Sequence, residues 1–164
     1  MPVIWPFRNK AECQVLMICT ANICRSPAAE GLLRASLKPA GLSGRVAVRS
    51  AGLQVGTPGH PPDPRMVNLA RERGVRLSGI RARPIDAAEL ADAAFVYVME
   101  QAQKKEILRR FPDVSAARVA LLDPEGDIDD PYYAGIEAVR QTFEHIEVCV
   151  HERLREIARE VRRR

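Results

Sequence analysis

Residues 19–27, CTANICRSP, bring two cysteines, an arginine and a serine together in a short stretch. The stretch follows the apolar run QVLMI, which is typical of a strand buried on both faces of a parallel sheet, and it precedes a segment of helix formers. A loop between such a strand and a helix presents unpaired N–H groups to an anion. Because the planar guanidinium of Arg25 can also hold two oxygens of a phosphate, the pattern predicts a phosphate-binding loop.

Cys19 stands at the start of this loop, where the N–H dipoles and Arg25 favour the thiolate, the nucleophilic form of a cysteine. A thiolate that faces a phosphate monoester can attack phosphorus in line and form a cysteinyl-phosphate intermediate. A cysteine without such neighbours is more often a small buried residue, and we predict that role for Cys13 and Cys149. The nucleotide-binding pattern GxxxxGK[ST] is absent, so the loop is not predicted to bind a nucleotide.

Apolar strand segments alternate with helical segments along the chain, and this alternation predicts an α/β fold with a parallel, doubly wound sheet. We expect four parallel strands with helices on both faces. The last helix is long, because apolar residues recur at steps of three and four over about 28 residues from Ile136. The predicted strands are 14–19, 45–52, 93–99 and 117–122, and the predicted shorter helices are 27–38, 63–73 and 101–111.

The composition is typical of one globular domain: the chain has 164 residues, of which 46% are apolar and 28% charged. We expect residues 1–12 to form an N-terminal extension and residues 13–164 to form the domain. No apolar stretch approaches the roughly 18 residues of a membrane-spanning helix, and the cysteine spacing differs from that of a disulfide framework. We therefore expect a cytoplasmic protein with reduced thiols and no membrane insertion.

The charged and histidine residues argue against two further kinds of site. The net charge is +4, and the basic residues of the final segment are interleaved with glutamates, unlike the dense basic stripe that binds nucleic acid. The histidines, His60, His145 and His151, show no ligand-like grouping with the cysteines. We therefore expect neither nucleic-acid binding nor a metal site, and the chemistry of the loop requires no cofactor.

The stretch VLMICTANICRSPAAE resembles the signature of the low-molecular-weight protein tyrosine phosphatases of bacterial type. Three further matches follow in order: SAG at 50–52, VME at 98–100 and DPYY at 130–133. The resemblance extends from about residue 14 to the final helix. It implies the three-layer sandwich of phosphotyrosine protein phosphatase I and the hydrolysis of tyrosine phosphate in proteins through a cysteinyl-phosphate intermediate.

The resemblance also implies roles for individual residues. Cys19 is the expected nucleophile, Arg25 the expected phosphoryl clamp and Ser26 the hydroxyl that donates to the departing thiolate. Asp130 is the expected general acid, which protonates the tyrosyl oxygen and then activates water. By chemistry alone, two nearby aspartates are rivals of Asp130, and its place before Pro131 is the reason for choosing it. These rivals are Asp127 and Asp129.

The resemblance assigns the remaining residues of the site to three groups. Leu53, Tyr132 and Tyr133 are expected to line the substrate entrance, and Ser50 is expected to support the loop. Asn22 corresponds to a family asparagine with left-handed backbone, which this residue type tolerates. The other residues of the expected phosphate-binding loop are Thr20, Ala21, Ile23 and Cys24.

Two positions depart from the family pattern. Ala21 stands where bacterial relatives usually have glycine, so the loop is expected to be strained if a positive φ is required there. Ile80 stands two residues before Ala82 and Arg83, where the family commonly has a histidine that supports the loop. We therefore expect part of the hydrogen-bond support to be missing.

Two related activities on the same fold are alternatives. Thiol-dependent arsenate reductases need further cysteines to pass on a disulfide, and residues 82–103 contain none. Protein arginine phosphatases have threonine at the position of Ile23, where tyrosine phosphatases usually have isoleucine. An idle phosphotyrosine-binding module is a third interpretation, but it does not explain the presence of both Cys19 and Asp130.

The residue that follows SAG is Leu53, and in this the chain resembles the bacterial members that act with tyrosine kinases of exopolysaccharide synthesis. We therefore expect a phosphotyrosine-containing protein as the partner, with such a kinase as one candidate.

Overall fold

The computed structural model describes residues 11–164. The predicted N-terminal extension, residues 1–12, lies outside the described residues except for its last two. The strands are β1 (Cys13–Cys19), β2 (Val46–Gly52), β3 (Phe95–Val98) and β4 (Val119–Leu121). The helices are α1 (Arg25–Leu37), α2 (Pro64–Glu72), α3 (Ala87–Asp92), α4 (Gln101–Arg110) and α5 (Ile136–Arg163), and a 3₁₀ turn (Ala116–Arg118) precedes β4.

The four strands form one parallel sheet in the order β2-β1-β3-β4. This confirms the predicted fold class. The sequence did not predict α3, a helix of six residues that begins after Asp86. The Asp86 side chain accepts hydrogen bonds from the N–H groups of Ala88 and Glu89, so the local capping chemistry starts a helix too short to show a periodic pattern.

Successive residues of β1 point to opposite faces of the sheet, and both faces are covered by helices. Val15 and Met17 belong to the hydrophobic core formed with α1, α2 and α5. Leu16 and Ile18 belong to the second core, which includes residues of α3 and α4. Burial on both sides explains why β1 is a continuous apolar run, and it places the carboxyl end of β1 between its two neighbours in the sheet.

The helix α5 runs for 28 residues along one layer of the molecule. Its buried positions follow the predicted apolar stripe and pack in the same core as α1. Among the described residues, no helix has the length and apolar character needed to cross a membrane. The buried residues of the stripe are Val139, Phe143, Ile146, Val150, Ile157 and Val161.

Candidate active site

The loop between β1 and α1 lies at the carboxyl edge of the sheet, in the middle of the strand order. Among the described non-glycine residues, only Asn22 has a positive φ, at +57°. Ala21 therefore does not need the left-handed conformation for which glycine is favoured, so the strain expected there is absent. Cys24 precedes α1 and makes no side-chain capping hydrogen bond, which leaves the first N–H groups of α1 uncapped by a side chain and available to an anion.

The nucleophile predicted from the sequence contacts a hydroxyl group. Cys19 Sγ and Ser26 Oγ are 2.9 Å apart, and both side chains are buried. Ser26 Oγ also accepts a hydrogen bond from Asn22 Nδ2 at 2.9 Å. Because Ser26 is the acceptor from Asn22, its own hydrogen is available for donation to the sulfur.

Asn22 connects the loop to two other segments. Its Nδ2 also donates to Ser50 Oγ at 3.0 Å, and its Oδ1 accepts a hydrogen bond from the backbone N–H of Arg83 at 3.1 Å. The side chain thus uses both of its amide hydrogens and its carbonyl oxygen while it is only 1% exposed. The side chain of Ile80 is buried and apolar, so it donates no hydrogen bond to this loop.

Ser50 also hydrogen-bonds Glu30 of α1. Burial raises the pKa of Glu30, and the charge of Arg34 together with the Ser50 hydrogen bonds partly opposes that shift. The SAG motif thus links β2 to both the loop and α1. Gly52, which ends the motif, has no room for a side chain, because a Cβ atom there would lie 2.8 Å from the carbonyl oxygen of Thr20.

Arg25 is 2% exposed and points its guanidinium toward the β3–α4 and β4–α5 loops. Its Nη1 donates to Glu100 Oε1 at 2.6 Å and to the carbonyl oxygen of Ile128 at 2.8 Å. Charge-assisted bonds of this kind hold the guanidinium plane in one orientation. Glu100 belongs to the VME motif, from which the sequence alone predicted no role for it; in the structure it orients the Arg25 guanidinium from across the sheet.

Of the three candidate aspartates, Asp130 is the one whose carboxylate lies near Arg25. Its Oδ2 is 3.6 Å from Arg25 Nη2, its side chain is 48% exposed, and its Oδ1 accepts from the N–H of Tyr132 at 3.1 Å. Asp127, one of its rivals, instead accepts a hydrogen bond from the N–H of Gln101 at 2.8 Å and so faces the start of α4. Asp129 is exposed and makes no hydrogen bond to the rest of the described chain.

The tyrosines of the predicted entrance are exposed, with Tyr132 at 43% and Tyr133 at 96%. Their rings meet edge to face, with centroids 4.8 Å apart. Leu53, which follows β2, is half-buried, and its N–H donates to the carbonyl oxygen of Cys19 at 3.1 Å. An exposed aromatic pair beside a phosphate-binding loop offers an apolar surface to a flat ring.

Two residues to which the sequence assigned no role, Gln103 and Arg65, fix the loops around the site. The buried Gln103 donates from Nε2 to Thr20 Oγ1 at 3.1 Å, which ties α4 to the phosphate-binding loop. Arg65 of α2 donates to the carbonyl oxygens of Tyr132 at 2.8 Å and Ala134 at 2.7 Å. No motif marked either residue, because each acts on a loop more than 60 positions away in the sequence.

Arg65 is itself held by Asp63, which precedes α2 and caps it. Asp63 Oδ2 lies 2.8 Å from Arg65 Nη2, and the N–H of Asp63 donates to the carbonyl oxygen of Ile23 at 2.9 Å. Burial opposes the ionised form of Asp63, but the hydrogen bonds and charge of Arg65 outweigh it and lower the pKa of this carboxyl group. A continuous series of contacts therefore joins the phosphate-binding loop to the loop of Asp130.

This fold and this loop are typical of phosphoric monoester hydrolases, and the comparisons identify the family. The chain matches the low molecular weight phosphotyrosine protein phosphatase family over residues 14–163. It is 36% identical over 134 residues to the probable low molecular weight protein-tyrosine-phosphatase EpsP of Ralstonia nicotianae, an alignment that covers 81% of this chain and 88% of that protein. The chain therefore belongs to this phosphatase family.

Solved structures of similar proteins agree with this assignment. The structure of YfkJ from Bacillus subtilis superposes with a TM-score of 0.83 at 27% identity and covers 93% of this chain and 98% of its own. The YwlE arginine phosphatase from Geobacillus stearothermophilus gives a TM-score of 0.80 at 26% identity, with coverage of 90% and 94%. The same fold therefore occurs in a phosphatase named for a different phosphorylated residue.

Proposed function

We propose that the protein hydrolyses tyrosine phosphate in proteins through a cysteinyl-phosphate intermediate on Cys19. The proposal is supported by two contacts at the carboxyl edge of the sheet, one at each end of the loop between β1 and α1. Cys19 contacts Ser26 at 2.9 Å, and the buried Arg25 lies 3.6 Å from the partly exposed Asp130. A nucleophile, an anion-binding cation and a proton donor at the surface are the groups that this reaction needs.

In the first step, the phosphoryl oxygens of the substrate accept hydrogen bonds from the N–H groups of the loop and from Arg25. The Cys19 thiolate attacks phosphorus, and the bond between phosphorus and the tyrosyl oxygen breaks. Asp130 transfers a proton to that oxygen, so tyrosine leaves as the neutral phenol. Donors already oriented by the fold stabilise the charge that spreads over the phosphoryl oxygens without having to reorganise.

In the second step, a water molecule attacks phosphorus through its oxygen, and the Asp130 carboxylate takes a proton from that water. The phosphorus–sulfur bond breaks and releases inorganic phosphate and the Cys19 thiolate. Ser26 donates a hydrogen bond to that thiolate, for which its hydrogen is available because Asn22 uses the oxygen only as an acceptor. The half-exposed position of Asp130 gives it access to the water that this step consumes.

Replacement of the nucleophile tests this proposal. We expect Cys19→Ser to abolish hydrolysis of an aryl phosphate while it leaves binding of a phosphate analogue largely intact, because the N–H groups and Arg25 remain. Rapid acid quench of the wild type should trap phosphate bound to sulfur, a species that Cys19→Ser cannot form. Hydrolysis by Cys19→Ser at the wild-type rate would falsify the assignment.

A second candidate function is the hydrolysis of phosphoarginine, which the likeness to the YwlE arginine phosphatase favours. Against it stands Ile23, a half-buried loop residue whose methyl groups suit an aromatic ring but offer no acceptor to a guanidinium. A buried polar group left unpaired costs about 1 to 3 kcal/mol, equivalent to roughly ten- to a hundredfold in rate. The exposed rings of Tyr132 and Tyr133 also favour a flat phenyl group.

Matched phosphopeptides distinguish these two functions. We expect a higher kcat/KM for phosphotyrosine than for phosphoarginine, phosphoserine or phosphothreonine. In Ile23→Thr, the ratio of kcat/KM for phosphotyrosine to that for phosphoarginine should fall by roughly ten- to a hundredfold, since the threonine hydroxyl supplies the missing acceptor. A wild-type preference for phosphoarginine would overturn the tyrosine assignment.

We further propose that the partner is a tyrosine kinase of bacterial exopolysaccharide synthesis and that the two proteins meet in the cytoplasm. The similarity to EpsP and the presence of Leu53 after SAG support this choice. Deletion of the gene should raise the phosphotyrosine content of such a kinase in the same cell. Unchanged phosphorylation of the kinase would contradict this partner while leaving the proposed chemistry intact.

A further inference from the structure

A side-chain cluster outside the phosphate-binding loop combines a carboxylate, an imidazole and a thiol. Asp123 follows β4, whereas His145 and Cys149 lie on α5. A donor atom of each side chain lies within 4.8 Å of the donor atoms of the other two. The sequence predicted no histidine near a cysteine, and this prediction is wrong for His145. Cys149 lies one turn further along α5, and Asp123 comes from the distant end of β4.

The helix and the strand end present these groups to one another. His145 and Cys149 are four residues apart and therefore share one face of α5. On the same helix, Arg153 donates to the carbonyl oxygen of Leu122 at 3.2 Å, which anchors this face against the end of β4. In this arrangement His145 Nε2 lies 2.6 Å from Asp123 Oδ2.

We propose that Asp123, His145 and Cys149 bind one zinc-like divalent cation, with water as the fourth ligand. Thiolate, imidazole and carboxylate are ligand types that Zn²⁺ accepts, usually in a tetrahedral arrangement. Bonds of about 2.0 to 2.2 Å from the metal to nitrogen and oxygen place those two atoms about 3.4 Å apart. The present contact of 2.6 Å must therefore open by less than about 1 Å, and the His145 side chain, at 40% exposure, can make this movement at the surface.

The carboxylate already has the orientation that a ligand requires. The N–H of Glu125 donates to Asp123 Oδ1 at 2.9 Å, which leaves Oδ2 directed at His145. Outer hydrogen bonds of this kind orient the ligands of metal sites. The positive charge of Arg153 lies close enough to influence Asp123 and Cys149, and it would repel a cation. This repulsion is reduced because Arg153 Nη1 lies 2.8 Å from the carboxylate oxygen Oε2 of Glu156.

Cys149 supplies the third donor from below the surface. Its side chain is 3% exposed and, within the described part of the chain, it makes neither a hydrogen bond nor a disulfide. Burial, with the charges of Asp123 and Glu152, raises the pKa of its thiol to about 11. A bound cation forms a metal–sulfur bond in place of the sulfur–hydrogen bond, and the thiol proton is released to solvent.

A cobalt titration of the metal-free full-length protein tests the site. We expect one equivalent of Co²⁺ to produce a thiolate-to-cobalt charge-transfer band, which Zn²⁺ then abolishes by displacement. Cys149→Ser should remove this band, and His145→Ala should weaken Co²⁺ binding by at least about tenfold. Two controls should keep the band: Cys19→Ser, because that thiol lies in the phosphate-binding loop, and His151→Ala, an exposed histidine on the same helix.

Three results would overturn the proposal: no thiolate band in the wild type, a band that survives Cys149→Ser, or a band that disappears in Cys19→Ser. Because Cys149 is buried, its replacement is accompanied by the surface variants His145→Ala and Asp123→Asn, which leave the core unchanged. Zn²⁺ should raise the Tm of the wild type and fail to raise that of either surface variant. An equal rise in Tm for all three proteins would also contradict the site.

Discussion

The phosphate-binding loop and the loop that carries Asp130 meet at one edge of the sheet, but they are held by different means. Three residues of the first loop, Asn22, Arg25 and Ser26, are no more than 2% exposed and hydrogen-bond one another or distant segments. In the second loop, the Asp130 side chain is 48% exposed and Tyr133 is 96% exposed. In the proposed mechanism, the groups that hold the anion are therefore built into the core, whereas the group that exchanges protons with water stays at the surface.

The second loop is anchored on each side of Asp130. Before it, the buried Ile128 donates its N–H to the carbonyl oxygen of Met99 at 2.8 Å and accepts from Arg25 through its own carbonyl oxygen. After it, Arg65 holds the carbonyl oxygens of Tyr132 and Ala134. The position of Asp130 therefore depends on backbone contacts to its neighbours, while its carboxylate remains accessible.

The largest difference between the two loops is expected when the proposed proton donor, Asp130, is replaced. Asp130→Ala should lower kcat by about 10²- to 10⁴-fold, the usual contribution of a positioned general acid. Asp129→Ala is the matched control and should retain most of the activity, since that side chain makes no contact with Arg25. Steady-state hydrolysis of a tyrosine phosphopeptide measures both variants, and an equal loss in the two would reject Asp130 as the acid.

A smaller effect is expected from Arg65, which acts as a positioning residue. Arg65→Ala removes the donors to Tyr132 and Ala134 and should lower kcat on phosphotyrosine by roughly ten- to a hundredfold through misplacement of Asp130. The loss should be smaller on a nitrophenyl phosphate, whose leaving group needs less protonation. Arg71→Ala, an exposed arginine on the same helix, is the control.

A comparison of kcat on phosphotyrosine and on nitrophenyl phosphate shows whether Arg65→Ala misplaces Asp130 or damages the protein in general. Equal losses on both substrates, or a large fall in Tm with normal kcat, would show that Arg65 stabilises the fold without placing the acid.

Replacement of Cys24 is expected to have the smallest effect on turnover. Its effect should be seen only in how much activity is recovered after oxidation. Burial, followed by the charges of Asp63, Cys19 and Asp130, raises the pKa of this thiol well above its usual range, so Cys24 stays protonated. Peroxide converts the Cys19 thiolate to a sulfenic acid with release of hydroxide, and the Cys24 thiol can then form a disulfide with it and release water. This chemistry would protect the nucleophile from irreversible oxidation.

Recovery after peroxide treatment tests this trap. Dithiothreitol should restore the activity of the wild type but not that of Cys24→Ser, and both proteins should turn over at similar rates before oxidation. Cys13→Ser, which changes a core cysteine at the other end of β1, should recover like the wild type. Equal recovery of the wild type and Cys24→Ser would exclude a protective disulfide.

Within residues 11–164, local patterns in the sequence predicted all four strands and four of the five helices, and they placed a loop between β1 and α1. These predictions succeeded because the residues that decide each element are neighbours in the sequence, such as the apolar run of β1 and the three-to-four repeat of α5. The helix α3 was missed because six residues are too few for a repeat, and its start depends on the cap formed by Asp86.

The sequence by itself determined the fold class, the family resemblance and the candidate nucleophile, because each rests on residue types at short, fixed spacing. Only the tertiary structure decided which side chains meet across the sheet. Arg25 and Glu100 are 75 positions apart, and Arg25 and Ile128 are 103 positions apart. The tertiary structure also brings Asp123 to His145 and Cys149. Whether a side chain reaches a distant partner depends on how the helices pack on the sheet, and no local repeat in the sequence records that.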